Sequence, residues 1–159
     1  MLAVEDEESD ALLLELAMKE AGAPNKLIVV RDGQELVDYL SRRPPFGDRR
    51  RFPDPGVLLL DLKMPRMDGF QVLTWLSEHA EFAHIPVIIF SASMCQADIR
   101  RALQMGASDY LEKPSQFATL VEMCRKLTHR WLINPRPAVP SPVVTHLAHR
   151  RTNQRFFEF

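Results

Sequence analysis

Short apolar runs alternate along the chain with longer segments in which apolar residues recur at helical spacing. Apolar runs without polar alternation are typical of strands that are buried on both faces of a parallel sheet. The predicted strands are residues 2–5, 27–30, 57–60, 86–90 and 109–111. A sheet of such strands needs a covering layer on each side.

The segments between the strands predict five helices, because apolar residues recur there every three or four positions. These helices cover residues 9–21, a segment around 36–40, 68–78, 96–105 and 115–132. In the first helix, we expect Leu12, Leu13, Leu16 and Ala17 to form the buried stripe. In the later helices, the expected inward residues are Leu36, Val37, Leu40, Val72, Leu73, Leu76, Ile99, Ala102, Leu103, Phe117, Leu120, Val121, Cys124, Leu127 and Trp131.

Five strands that alternate with five helices indicate an α/β fold, in which helices cover both faces of a parallel sheet. Right-handed crossovers leave few possible topologies for such a chain. In doubly wound sheets of this kind, ligands bind beyond the carboxyl ends of the strands. The residues that follow each strand are therefore the first place to look for chemistry.

Two segments lie outside the alternation of strands and helices. Residues 41–55 contain five arginines and four prolines, which is too much proline for regular structure. We interpret the arginine cluster 49–51 as a solvated loop rather than a binding patch. We divide the chain into a domain of residues 1–132 and a C-terminal extension of residues 133–159, which we expect to be flexible.

Composition excludes several classes of protein. The formal net charge of −1 does not favour binding to nucleic acid, and no apolar run is long enough to span a membrane. The N-terminus lacks a basic segment followed by an apolar one, so we expect no secretory signal. Cys95 and Cys124 are too few for a disulfide scaffold. We therefore expect a cytoplasmic protein.

Polar side chains follow most of the predicted strands. Glu5 and Asp6 end the first strand, Asp61 the third and Ser91 the fourth, and Lys113 follows the fifth. Because the strands are parallel, these residues should converge at one edge of the sheet. Three carboxylates in one pocket repel each other, and Mg²⁺ relieves that repulsion by binding carboxylate oxygens. An amine and a hydroxyl suit a phosphoryl group, so the set predicts phosphoryl transfer.

Four motifs contain or flank these strand ends: VED at 4–6, LLLDLKMPRMDGF at 58–70, PVIIFSAS at 86–93 and GASDYLEKP at 106–114. Together they resemble the receiver domain of two-component response regulators. The resemblance covers roughly residues 1–132. It implies a flavodoxin-like, doubly wound five-stranded parallel sheet with strand order 2-1-3-4-5 and helices on both faces. It also implies a phosphoacceptor signalling protein rather than an enzyme in its own right.

The resemblance assigns a role to each residue at the strand ends. Asp61 would accept a phosphoryl group from a phosphohistidine on a sensor histidine kinase. Asp6, Asp61 and the backbone carbonyl of Lys63 would bind Mg²⁺, while Glu5 would act through a bound water. Lys113 would neutralise charge on the phosphoryl oxygens.

The same resemblance implies a conformational switch. Ser91 would hydrogen-bond to the phosphoryl group, and Tyr110 would then move from an outward to an inward position. The Lys113–Pro114 peptide bond would be cis. The readout would be the surface made by the fourth helix, the fifth strand and the fifth helix.

No output domain fits in the remaining residues, so we expect a stand-alone receiver. The 41–55 insertion and the segment RWLINPRP at 130–137 resemble single-domain regulators partnered with bacterial phytochrome-type kinases. Members of that subgroup often dimerise, so a homodimer is a further hypothesis. A sensor kinase and a downstream protein are the other expected partners.

Three other functions remain as alternatives. A hydrolase with Asp61 as nucleophile would need a second aspartate two residues later, where this chain has Lys63. A flavin-binding protein would need a hydroxyl-rich phosphate loop after the first strand, where this chain has EDEESD. A docking module that is never phosphorylated would not need the full set of strand-end residues.

Overall fold

A five-stranded parallel sheet forms the centre of the computed structural model, which describes residues 1–23 and 27–133. The strands lie in the order β2-β1-β3-β4-β5, and every neighbouring pair is parallel. This confirms the predicted fold and strand order. The strands are β1 (Leu2–Val4), β2 (Ile28–Val30), β3 (Leu58–Leu60), β4 (Val87–Ser91) and β5 (Asp109–Glu112).

Five α-helices connect or follow these strands, as the spacing of apolar residues predicted. They are α1 (Glu8–Glu20), α2 (Gly33–Leu40), α3 (Gly69–Glu78), α4 (Gln96–Gln104) and α5 (Phe117–Leu127). A short 3₁₀ turn follows α3 at Ala80–Phe82, and a π-helical segment, Thr128–Ile133, continues α5. Within the described residues, no helix has the length and apolar character needed to cross a bilayer.

Alternate residues of the strands supply two separate cores, one on each face of the sheet. In β3, Leu58 and Leu60 pack into the core beneath α2, α3 and α4, whereas Leu59 packs into the core beneath α1 and α5. This alternation is the period-two geometry of a strand. It explains why the strand sequences are continuous apolar runs, since both faces of the sheet are covered.

The predicted buried stripe of α1 was wrong for three of its four residues. Leu12, Leu13 and Leu16 are 57%, 44% and 47% exposed, and the residues that pack against α5 are Leu14, Ala17 and Met18. Both stripes have helical spacing, so periodicity alone could not distinguish them. The orientation of α1 is set by its packing on the sheet and on α5, and an apolar ridge remains exposed.

Most of the other helix residues predicted to face inward are buried or partly buried. Two are exposed: Leu103 in α4 and Phe117 at the start of α5 are each 44% exposed. Phe117 lies in the first turn of α5. Leu103 is next to Ala102, and it is Ala102 that is fully buried. Short helices on a sheet bury a narrow stripe, so residues at the margin of the stripe stay at the surface.

Residues 41–55 form turns without helix or strand, as predicted, but they enclose a small aromatic cluster. Phe46 and Phe52 pack on Tyr39 with ring centroids 5.3 and 5.9 Å away. The Tyr39 hydroxyl donates to the carbonyl of Pro53 at 2.7 Å. The arginines at 49–51 are exposed. The predicted extension 133–159 lies outside the described residues except for Ile133.

Candidate functional site

The carboxyl ends of the neighbouring strands β1 and β3 bring two of the predicted site residues together at one edge of the sheet. Asp61 directly follows β3 and Glu5 directly follows β1, and these two strands are neighbours. The Asp61 amide donates to the carbonyl of Val4 at 3.2 Å, which continues the ladder by one residue. Glu5 and Asp61 are only 4% and 7% exposed. The parallel register therefore places two nearly buried carboxylates side by side.

The side-chain ammonium of Lys113 binds both of these carboxylates. Its Nζ lies 2.6 Å from Glu5 Oε2 and 2.7 Å from Asp61 Oδ2. It also lies 3.0 Å from Asp10 Oδ2. A lysine ammonium has three N–H donors, so each donor has a carboxylate partner. Lys113 follows β5, at the far edge of the sheet, and only the fold brings it to Asp61.

Three carboxylates at this edge are close enough to share a cation. Ligand oxygens of Glu5, Asp6 and Asp61 lie within 4.8 Å of one another. Burial raises the pKa of the Glu5 carboxyl above its ordinary value, even though the neighbouring Lys113 opposes that shift. Oxygen-only donors with excess negative charge are the ligands that Mg²⁺ and Ca²⁺ prefer. The donor set therefore fits a hard divalent cation.

The charge of Lys113 is firmly held at the site. Burial alone would lower the pKa of its ammonium, but hydrogen bonds to Asp61 and Glu5, and the negative charge of Asp61, outweigh burial and raise that pKa. The ammonium also lies 5.9 Å from the centroid of the Phe90 ring. The site thus keeps one fixed positive charge beside Asp61 throughout the physiological pH range.

The loop after Asp61 is held close to the site by Gly69. A Cβ on Gly69 would lie 2.4 Å from the Asp61 carbonyl oxygen and 2.8 Å from Leu62 Cα, so only glycine fits there. Asp68 caps α3, since its side chain accepts from the Gln71 amide at 2.8 Å. Asp68 and Gly69 therefore fix the start of α3 against the backbone at Asp61.

Lys63 contacts the site through its backbone. The Lys63 amide donates to Asp61 Oδ1 at 3.2 Å, while its side chain is exposed. This hydrogen bond orients Oδ1 of Asp61. The other oxygen, Oδ2, is bound by Lys113. Both carboxylate oxygens of Asp61 are therefore oriented by hydrogen bonds from the chain.

Ser91 and Tyr110 lie in one hydrogen-bonded group around the loop that follows β4. Ser91 is 1% exposed, and its Oγ accepts a long hydrogen bond of 3.5 Å from the Ser93 amide. The Tyr110 hydroxyl donates to the Ser93 carbonyl at 2.6 Å. Burial raises the pKa of the Tyr110 hydroxyl. A movement of Ser91 would therefore act directly on the backbone that Tyr110 holds.

The predicted cis bond before Pro114 was wrong. The cis peptide bond among the described residues is Pro44–Pro45, in the loop between α2 and β3. An X-Pro bond favours trans by about 0.5–1 kcal/mol unless its surroundings impose cis. Lys113 reaches its partners from a trans bond, with its amide donating to the Ser91 carbonyl at 3.0 Å.

Two features of the site were not predicted from the sequence. Asp10, in the first turn of α1, binds Lys113. Asp32, which is fully buried, caps α2 and also pairs with Arg66 in the loop after β3. The sequence could have placed Asp10 near the site, because a carboxylate in the first turn of a helix lies near the end of the preceding strand. No local pattern indicated the partner of Asp32.

Comparison with known proteins places this arrangement among signalling domains. The family model of the response regulator receiver domain matches residues 1–125. The response regulator Rcp1 of Synechocystis is 28% identical over 83% of this chain and 88% of its own length. The structure of the Mn²⁺-bound form of Rcp1 has a TM-score of 0.74, with 26% identity, and covers 87% of this chain and 97% of its own.

Two further solved structures are similar over nearly all of their own length. The response regulator RPA3017, in red light signalling of R. palustris, has 36% identity and a TM-score of 0.79, and covers 87% of this chain and 96% of its own. The phosphorylated cyanobacterial phytochrome response regulator RcpA has 26% identity and a TM-score of 0.77 over the same shares of the two chains. This chain therefore belongs to the response regulator receiver domain family.

Proposed function

We propose that this chain is a stand-alone cytoplasmic response regulator, made of a receiver domain (1–132) and a C-terminal extension (133–159), that accepts a phosphoryl group on Asp61 from a sensor histidine kinase. Receiver domains in general take phosphoryl groups from such kinases. The observation that carries the proposal is the position of Asp61. Its carboxylate lies 2.7 Å from the Lys113 ammonium and within the cluster formed with Glu5 and Asp6.

In the proposed reaction, a carboxylate oxygen of Asp61 forms a bond to phosphorus while the bond from phosphorus to the histidine nitrogen breaks. Lys113 neutralises charge on the phosphoryl oxygens as they approach. Asp6, Asp61 and the backbone carbonyl of Lys63 would hold Mg²⁺, with Glu5 acting through a water. When bound, the cation supplies charge neutralisation between the carboxylates and the phosphoryl group.

The proposed output is a change around Ser91. A phosphoryl group adds about −1.5 to −2 charge and three strong acceptors, so Ser91 would move to donate to it. That movement shifts the loop whose Ser93 carbonyl is bound by Tyr110. The surface of α4, β5 and α5 would then present the change to a second copy of the chain or to a downstream protein.

The exposed ridge of α1 supports the kinase as phosphodonor. A protein that delivers a phosphoryl group to Asp61 must dock at the carboxyl edge of the sheet, and α1 begins at that edge. Leu12, Leu13 and Leu16 give this helix an apolar surface that nothing in the described chain covers. We propose that the kinase contacts this ridge.

The test is phosphorylation by acetyl phosphate with Mg²⁺, followed by intact-mass measurement. The wild-type chain should gain the mass of one phosphoryl group, and Asp61→Asn should gain none. Asp54→Asn is the matched control, because Asp54 is an exposed aspartate in the 41–55 loop. Unchanged mass in the wild type, or equal labelling of Asp61→Asn, would contradict the proposal. Steady hydrolysis of a generic phosphate ester would instead favour a hydrolase.

A further inference from the structure

Asp10 is the third carboxylate bound to Lys113, and it approaches the ammonium differently from the other two. Its Oδ2 accepts from Lys113 Nζ at 3.0 Å, across 103 positions of sequence. The Asp10 side chain is 42% exposed, whereas the side chains of Glu5 and Asp61 are 3% and 9% exposed. Asp10 thus holds the ammonium from the solvent side, and the other two hold it from the buried side.

The three partners of Lys113 also differ in their other contacts. Among the described residues, Glu5, Asp6 and Asp61 form the group whose oxygens are close enough to share a cation. Asp10 lies outside that group, and its carboxylate is bonded to Lys113. In the proposed reaction, Asp61 receives the phosphoryl group and Glu5 faces the cation. Asp10 is therefore the carboxylate that can keep its bond to Lys113 throughout.

We infer that Asp10 is a positioning residue, which holds the Lys113 ammonium where the phosphoryl oxygens arrive. A lysine ammonium sits on a flexible four-carbon stem, and its place is defined only by what it contacts. Losing the solvent-side partner would let the ammonium move within the site and would misplace its charge relative to the transferring group. This inference rests on the proposed function of Asp61.

The kinetic test compares alanine and amide substitutions of Asp10 with the corresponding substitutions of Glu8. Glu8 lies in the same first turn of α1 and is exposed, so replacing it removes the same negative charge as replacing Asp10. With acetyl phosphate and Mg²⁺, Asp10→Ala should be phosphorylated about three- to fivefold more slowly than the wild type. Asp10→Asn should recover most of that rate, because its amide oxygen still accepts from Lys113. Glu8→Ala and Glu8→Gln should react like the wild type.

A second measurement does not depend on phosphorylation. Hydrogen exchange of the Lys113 ammonium, followed by NMR without any phosphodonor, should be faster in Asp10→Ala than in the wild type and intermediate in Asp10→Asn. Wild-type exchange in Asp10→Ala would overturn the inference, as would an equal or faster phosphorylation rate in that variant or an equal loss in Glu8→Ala. If the wild-type chain takes no phosphoryl group, the proposed function fails, and the exchange comparison still decides whether Asp10 holds Lys113.

Discussion

Lys113 Nζ lies 2.7 Å from Asp61 Oδ2, although the two residues are 52 positions apart in the sequence. One residue follows β3 and the other follows β5, so the contact spans the strand β4 that lies between them in the sheet. The same ammonium also binds Glu5, which follows β1. The Lys113 ammonium therefore links the ends of β1, β3 and β5. Removing its charge should affect the stability of the fold as well as the proposed phosphoryl transfer.

Replacing Lys113 with methionine should lower the free energy of unfolding by about 3 kcal/mol at neutral pH, because buried carboxylates would lose their cation. Urea denaturation measures this difference. Lys126→Met is the matched control, since Lys126 is 77% exposed and pairs with the exposed Glu122 at 3.8 Å. An equal, small effect in both variants would mean that the Lys113 contacts do not stabilise the fold.

Mg²⁺ should stabilise the folded chain through the cluster of Glu5, Asp6 and Asp61. At a concentration about 100 times the dissociation constant, the gain should be about 2.7 kcal/mol, and a chelator should reverse it. Thermal denaturation with and without Mg²⁺ measures the shift in Tm. Asp6→Asn should lose most of the shift, whereas Glu7→Gln, at the exposed neighbouring position, should retain it. A shift that survives in Asp6→Asn would place the cation elsewhere.

Substituting Gly69 with alanine should destabilise the chain by about 1–3 kcal/mol, because the new methyl would overlap the backbone at Asp61 and Leu62. Gly47→Ala is the control, because a Cβ there would meet only the Arg42 carbonyl oxygen at an ordinary 3.7 Å. Urea denaturation compares the two variants. If Gly69→Ala is as stable as Gly47→Ala, the stability of the fold does not depend on the close approach of α3 to the backbone at Asp61 and Leu62.

The orientation of α1 can be tested with two leucines that lie two positions apart. Leu14→Ala should cost about 2–5 kcal/mol of stability, because Leu14 is 1% exposed. Leu16→Ala should change stability by less than about 0.5 kcal/mol, because Leu16 is 47% exposed. Chemical denaturation of both variants measures the difference. A larger loss in Leu16→Ala than in Leu14→Ala would favour the stripe that the sequence predicted.

Cys124 should make the fold less stable at alkaline pH. Burial raises the pKa of its thiol to about 11, from an ordinary 9.0. The unfolded chain therefore releases the proton first, so stability is complete below pH 9 and falls as the pH rises toward 11. The loss is at most about 1.4 kcal/mol per pH unit. Urea denaturation at a series of pH values should give a shallower fall for Cys124→Ala than for the wild type.

The apolar runs and the residues that end them were enough to predict the sheet and the place of its site. A strand buried on both faces has a distinct local signature, and parallel strands necessarily direct their carboxyl ends to one edge. The positions of Asp61, Glu5 and Lys113 follow from these two facts. The strand order was predicted from the resemblance, since apolar runs alone do not show which strands are adjacent in the sheet.

Other features were decided only by tertiary structure. The buried face of α1 depends on how the helix packs on α5, because the sequence offers two apolar stripes and periodicity cannot choose between them. The contact of Asp10 with Lys113 and that of Arg66 with Asp32 join segments that no local pattern relates. Secondary structure and strand-end chemistry are encoded locally, whereas the partner of each charged side chain depends on which distant segments the fold brings together.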